Sequence, residues 1–377
     1  MFVELHIIQN FAPSNLNRDD TNAPKDCEFG GYRRARISSQ CIKRSIRYNP
    51  AFEESVGLPK GMRTKLLVDE LIKRLKDGGI ESESINEIVK EFVQRISPLG
   101  KGSKTKVLLF LGEDEISRMV EILKGNILDM DGLDKEALKE KCDVLAKEFR
   151  MGTKSPDIAL FGRMMADNPN LNIDAATQLA HAISTHKMSM DMDFFTAVDD
   201  LQEKEDTGAG MMGTVEFNSA CFYRYSLVDT GQLLENLQYD KELAMKTIEG
   251  FIRASIAAIP TGKQTSMAAQ NPPNLVIVTA RNKGQPMSLA NAFASPVRIG
   301  GYTDVDLIGG SIEKLDGYFD EITKMYGKDG LVFVGYCHIG EPDITHLSTA
   351  GGKRCESIDE LIKEARGAVN VGLDVED

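Results

Sequence analysis

The chain has 377 residues and a formal charge of −12, and with 42% hydrophobic and 27% charged residues it has the composition of an ordinary globular protein, which excludes wholesale disorder. No apolar run reaches the ~18 residues of a membrane-spanning helix, and Met1-Phe2-Val3-Glu4 has no basic region or apolar core of a signal peptide, so a cytoplasmic protein with no membrane partner is expected. Six scattered cysteines (Cys27, Cys41, Cys142, Cys221, Cys337 and Cys355) without a C-x-x-C pair predict free thiols in a reducing compartment and no structural metal.

The first residues alternate Val3, Leu5 and Ile7 with Glu4 and His6, which predicts an N-terminal strand. A loop rich in Asn, Asp and Pro is expected from Asn10 to Gly31. The window from Phe29 to Pro50 then holds six basic residues (Arg33, Arg34, Arg36, Lys43, Arg44 and Arg47) and no acid, so it carries +6 and the remaining residues together carry −18. Such polarisation suits one face for a polyanion and a solubilising remainder. Ser38 and Ser39 predict a helix start, because a serine hydroxyl satisfies the unpaired backbone N–H groups there. In that helix Gln40, Lys43, Arg44 and Arg47 are spaced i, i+3, i+4 and i+7 and share a face, with Ile42 and Ile46 on another.

From about Lys60 to Arg150 the pattern is helical almost throughout. Ile85, Ile88, Val89, Phe92, Val93 and Ile96 form one apolar stripe, Ile116, Met119, Val120 and Leu123 a second, and the stretch from Leu133 to Phe149 a third, charge-rich helix. Asp174 predicts the cap of a helix carrying Ala175, Leu179 and Ile183. Period-2 alternation from Val215 to Leu227 predicts a strand. Helices over Lys241–Ala258 and Ile358–Ala368 and central strands over Leu275–Thr279 and Leu331–Tyr336 complete a mixed core with a helical insertion.

Enzymatic signatures are sparse. Ala257 and Gln264 break the phosphate-loop pattern around Thr261-Gly262-Lys263, and neither G-x-S-x-G nor H-E-x-x-H occurs. His181 and His186 are five apart, a spacing a regular helix turns to different sides. Asp191, Asp193, Asp199 and Asp200 make an acidic cluster that can hold Mg²⁺ or simply cap turns. The basic helix is the better evidence: a helix N-terminus with Ser38, Ser39 and Gln40 beside it, followed by a cationic track, suits phosphate groups and reads no bases. Phe194, Phe195 and Thr196, the glycines of 208–213 and Met212 predict a protruding hairpin whose apolar side chains can wedge against bases. Arg163 and Met164 after Gly162 combine a cation with a soft apolar contact in the same way.

Leu16-Asn17-Arg18-Asp19-Asp20, Pro24-Lys25-Asp26 and the run from Phe29 to Arg44 (FGGYRRARISSQCIKR) resemble the backbone subunit family of the type I-E CRISPR Cascade complex, the CasC family. So do Asp157–Leu160 with Gly162-Arg163-Met164, Ala180–His186, Phe195–Gln202, Phe222–Tyr225 and Ser288–Phe293. These blocks keep family order over about three-quarters of the chain, whereas Phe52–Arg150 and the tail beyond Phe293 match only loosely. The resemblance implies an α+β, right-hand-shaped subunit: a modified ferredoxin-like, RRM-like palm (1–57 and 180–377), a helical fingers insertion (58–179) and a β-hairpin thumb at about 194–222. It implies a non-catalytic protein without cofactor, several copies of which line up head to tail along one CRISPR RNA with other Cascade subunits. The thumb displaces a nucleotide at regular intervals, and target DNA is met through the guide. Arg18, Lys25, Ser38, Gln40, Lys43, Arg44 and Arg47 then fall on the RNA-backbone track, Arg163 and Met164 on a finger loop meeting the RNA, and Phe194, Phe195, Thr196 and Met212 on the thumb. The alternative is an RNA-cleaving backbone subunit using Asp191, Asp193 or His186 for acid–base chemistry.

Overall fold

A computed structural model describes residues 1–148, 153–165, 168–197, 211–298 and 306–374. Strands β1 (Phe2–Ser14), β2 (Asp26–Phe29) and β3 (Tyr32–Ile37) lead into helices α1 (Ser39–Arg47) and α2 (Pro50–Val56). Next come β4 (Met62–Thr64), α3 (Leu67–Asp77), α4 (Ile85–Ile96), β5 (Leu109–Leu111), α5 (Glu113–Met130), α6 (Lys135–Glu148) and α7 (Pro156–Phe161). Strands β6 (Thr177–Leu179), β7 (Ala182–Ser184), β8 (Asp191–Ala197) and β9 (Met211–Asp229) precede α8 (Thr230–Asn236), α9 (Lys241–Ala257) and α10 (Gln264–Met267). The chain closes with β10 (Leu275–Arg281), α11 (Leu307–Tyr326), β11 (Leu331–His338), α12 (His346–Thr349), β12 (Lys353–Arg354) and α13 (Ile358–Asp374). It divides into one unit of residues 1–52, 178–228 and 249–377 and another of 53–177 and 229–248.

The first unit is built on a ten-stranded sheet in the order β12-β11-β10-β1-β9-β7-β3-β2, with β6 and β8 also pairing β9. β1 runs antiparallel to β10, from Phe2 opposite Arg281 to Ile8 opposite Leu275, and β10 antiparallel to β11. Both faces of β1 are covered. Val3, Leu5 and Ile7 are apolar, whereas Glu4 and His6 are buried polar groups that find partners. The Tyr223 hydroxyl is hydrogen-bonded to His6 Nδ1 (2.8 Å) and accepts from the Leu289 N–H (2.9 Å). Glu4 accepts from the Tyr225 hydroxyl (2.8 Å) and the Met287 N–H (2.7 Å). The sheet is therefore cross-linked by hydrogen bonds where its pattern turns polar, as buried polar groups require. Phe293, Ile312, Leu315 and Phe319 pack with Tyr223, Ile277 and Tyr336 in the apolar core.

The second unit is mainly helical. Leu67, Leu71 and Leu75 of α3 meet the Ile88, Phe92 and Ile96 stripe of α4 and Ile116, Met119 and Leu123 of α5, with Leu138, Cys142 and Leu145 of α6 completing the core. β4 and β5 form a separate antiparallel pair.

The mixed α+β class and the helical stripes match the sequence pattern. Two local expectations do not hold. The loop placed at 10–31 contains the end of β1 and all of β2, because Gly30 and Gly31, at φ of +61° and +77°, make a two-residue hairpin turn between Phe29 and its partner Tyr32. A side chain at Gly30 would also run into the Ala294 carbonyl. The helix expected after Asp174 is replaced by short strands: Ile183 pairs both with Arg36 of β3 and with Tyr223 of β9, and these ladders outweigh a weak local preference.

Candidate nucleic-acid interface

The basic segment folds as an amphipathic unit. The Ser38 hydroxyl caps α1 by accepting from the Cys41 N–H (3.3 Å), while Ile42 and Ile46 are buried beneath it. The preceding loop is stapled to the helix entrance by Asn17, whose side-chain oxygen accepts from the Ser38 N–H (2.8 Å) and whose carbonyl accepts from the Lys25 N–H (2.8 Å). Asn17 thus sets Lys25 and Ser38 in place, a positioning role that a count of charges does not reveal. Gln40 and Arg44 are exposed, as is Arg18, and Lys43 is half-buried. Partial burial of Lys43 pulls its ammonium below the ordinary lysine range. Arg18 and Arg44 line one groove of about 630 Å³ together with Tyr48 and Thr261.

Not every cation of the +6 window belongs to this surface. Arg34 is fully buried, donating to the carbonyls of Ser184 (3.0 Å) and Phe293 (2.5 Å). Arg33 stays exposed at 70% but is paired with Asp26 (2.7 Å), and Arg36 donates to the Asp26 carbonyl (3.0 Å). The expectation for Arg47 needs correcting too: it is 5% exposed, with its guanidinium over the Tyr48 ring at 5.2 Å. With Arg47 buried, the accessible track of α1 is exposed Gln40 and Arg44 with half-buried Lys43 between them.

Arg163 is a second correction. Its side chain is buried in an ion pair with the equally buried Glu115 (2.7 Å) and also donates to the carbonyls of Leu171 (2.9 Å) and Phe110 (3.1 Å). Burial pushes the Glu115 carboxyl up, and Arg163 opposes that shift. Glu115 in turn accepts from the Gly112 N–H (2.8 Å) at the start of α5. The guanidinium is therefore spent on the interior. Its backbone pairs with Ile173 in both directions (2.9 Å each), and Gly162, at φ +76°, lets the turn approach the Ile173 carbonyl where a side chain would clash. The result is a braced turn that presents the next residue, Met164, at 86% exposure.

β8 and β9 form the expected antiparallel hairpin arms, with Phe194 opposite Thr214, Phe195 opposite Gly213 and Thr196 opposite Met212. Alternation divides the candidate residues between two faces. Phe194 (60% exposed), Thr196 and Met212 share one face, which Met192 joins by the same period; Phe195 (38% exposed) is on the other. The Phe195 ring lies across Gly213, where an added Cβ would come within 2.5 Å of it. Phe195 therefore braces the arms, and Met192, Phe194 and Met212 make the exposed apolar strip. Asp199, Asp200 and the tip sequence 203–210 lie outside the described residues.

The residues of the cleavage alternative are less well disposed. Burial lowers the His186 imidazole below its ordinary range, and both ring nitrogens face backbone: Nδ1 donates to the Lys187 carbonyl (2.9 Å) and Nε2 accepts from the Cys221 N–H (3.3 Å). That leaves it no lone pair for a substrate proton. Asp191 and Asp193 are exposed on β8. Among the described residues no group of three or more His, Cys, Asp or Glu side chains is placed to hold a metal ion, and no helix is long and apolar enough to cross a membrane.

A family model described as CT1975-like protein matches residues 3–364. The chain belongs to the CT1975-like protein family. No curated protein sequence matches this family member. Among solved structures it is similar to a chain of a "CRISPR RNA-guided surveillance complex, pre-nicking", with 29% identity and a TM-score of 0.80 over 98% of this chain and 100% of that one. A chain of a second "CRISPR RNA-guided surveillance complex" superposes with a TM-score of 0.71 at 24% identity, again over 98% and 100% of the two chains, and supports the fold alone. The α+β fold of this CT1975-like protein is that of a CRISPR surveillance-complex subunit.

Proposed function

We propose that the chain is a non-catalytic, CRISPR RNA-binding backbone subunit of a Cascade complex of the type I-E kind. The observation that carries this reading is the Gln40–Lys43–Arg44 track at the surface of α1, with Lys25 and the helix entrance held by Asn17, in a chain that shares its fold over 98% of its length with a surveillance-complex subunit. These groups suit phosphate and ribose and leave base edges free. A guide needs that division, because its sequence must be arbitrary and its bases must pair with target DNA. In this reading the unit holding the large sheet is a modified RRM-like palm carrying the β8–β9 thumb, and the helical unit forms the fingers. Copies join head to tail, an arrangement that grows as an open filament unless RNA and other subunits end it. Met192, Phe194 and Met212 on the hairpin press against bases and displace one nucleotide per copy, and Met164 offers a further apolar contact.

The test is the nucleic acid that copurifies with the chain from cells carrying a CRISPR array, followed by incubation with labelled RNA with and without Mg²⁺. A uniform RNA with repeat-derived ends, left intact on incubation, is expected. Random cellular RNA, or cleavage abolished by His186→Ala or Asp191→Asn, contradicts the reading.

A further inference from the structure

The groove beside α1 contains an aromatic ring that a phosphate track alone does not call for. Tyr48 closes the helix at 51% exposure, with the guanidinium groups of Arg44 and Arg47 over its ring at 4.8 and 5.2 Å. Around it the groove measures about 630 Å³, within the range of small-ligand sites, and is lined by Arg18, Asn17, Asn22, Ser45 and Thr261 as well. The opposite wall is built by close approach: Gly262 packs so tightly on the 15–16 backbone that an added Cβ would lie 2.4 Å from the Leu16 carbonyl oxygen. Asp19, the one acid on the groove, accepts through Oδ1 from the Thr21 hydroxyl (2.7 Å) and the N–H groups of Thr21 (2.8 Å) and Ala23 (3.1 Å). What the groove offers a ligand is thus a flat half-exposed ring flanked by guanidinium groups, neutral hydrogen-bonding side chains and one carboxylate already engaged by its own loop. An aromatic platform beside cations is the combination by which proteins hold single-stranded nucleic acid without reading sequence.

We propose that this groove is a nucleoside subsite: one base of the bound RNA stacks on Tyr48 beside Arg44, and Arg18 meets the adjoining phosphate. The proposal rests on the RNA-binding reading and adds to it a base contact at the end of the phosphate track. Stacking on Tyr48 is indifferent to base identity, since every base has a π-face, so the guide remains unread.

The chain contains no tryptophan, so Tyr48→Trp places a single indole reporter in the groove of the full-length protein. Titration with a mixed-sequence single-stranded RNA should quench it, whereas the same RNA strand made abasic should bind without quenching. Tyr48→Ala should weaken binding of the RNA roughly five- to tenfold, leave binding of the abasic strand unchanged and preserve the salt dependence. If RNA binds with a salt dependence that Lys43→Ala reduces, yet Tyr48→Ala binds as tightly as the natural chain and the indole is unquenched, the subsite is refuted while the RNA-binding reading stands. If neither strand binds the natural chain, both fall together.

Discussion

The α1 segment and the 162–165 turn carry the same sequence signal, arginine beside a glycine or serine turn, and they use it in opposite ways. On α1, Lys43 and Arg44 remain at the surface beside Arg18, and only Arg47 is drawn in. In the turn, Arg163 is buried against Glu115 and donates to two backbone carbonyls as well, so the exposed group is its neighbour Met164. The difference teaches that an arginine's five donors serve backbone carbonyls as readily as phosphates. Net charge in a window is therefore an upper bound on charge at the surface, and Arg34, wholly buried two strands into the sheet, makes the same point inside the basic segment itself.

The largest effect should come from separating the buried ion pair. Arg163→Ala leaves the Glu115 carboxylate uncompensated, and the unfolding free energy of the full chain in a denaturant titration should fall by about 3–5 kcal/mol. Arg163→Met combined with Glu115→Leu should recover most of that loss. A stable Arg163→Ala protein whose only defect is a shallower salt dependence of RNA binding would restore Arg163 to the phosphate track and erase the contrast.

Within the basic segment the comparison sharpens. Arg34→Ala should destabilise the chain by about 1.5–3 kcal/mol, because charge-assisted bonds to buried carbonyls are lost. Arg44→Ala should leave stability within about 0.5 kcal/mol, as surface substitutions usually do, while weakening RNA binding. Paired denaturation and binding curves distinguish them, and equal behaviour of the two variants would show that burial does not divide their roles. On the hairpin, Phe194→Ala should likewise leave stability within about 0.5 kcal/mol and preserve the salt slope of RNA binding while reducing ordered assembly seen by electron microscopy. A slope that fell as for a lost lysine would contradict the wedge.

A pH-dependent effect centres on His6. Burial first, and then Arg281, push its imidazole down to about 3 from an ordinary 6.5. The unfolded chain takes up this proton near pH 6.5 and the folded chain only near 3, so the stability associated with neutral His6 is fully present above 6.5 and is lost as pH falls. Glu4, pushed up by burial, acts in the opposite sense over its own range. Relative to the natural chain, His6→Gln should flatten the decline in melting temperature below about pH 6.5, where one such group accounts for at most ~1.4 kcal/mol per pH unit. Parallel pH profiles for the two proteins would refute the assignment.

How far the sequence reveals this arrangement follows from which interactions are local. The α4 and α5 stripes, the alternation of β1 and β9, and the Ser38 cap are set by neighbours a few residues away, and each is legible. The burial of Arg34 depends on Ser184 and Phe293, more than a hundred residues on, and that of Arg163 on Glu115 of α5, 48 residues earlier; no local period encodes them. Residues 182–184 form a strand only because β3 and β9 flank them. Other features carry a local signal of their own. Gly30-Gly31 is a hairpin dipeptide, Met192 continues the period of Phe194 and Thr196, and Tyr48 lies one turn beyond Arg44.

The most direct test of the central claim is the salt dependence of binding for two single-stranded RNAs of unrelated sequence, measured on the natural chain and on Lys43→Ala. If α1 grips the sugar–phosphate backbone, both RNAs should lose affinity equally on substitution, and the slope of log affinity against log salt should fall by about 0.7 to 1 for each. A loss confined to one RNA, or an unchanged slope for both, would contradict it.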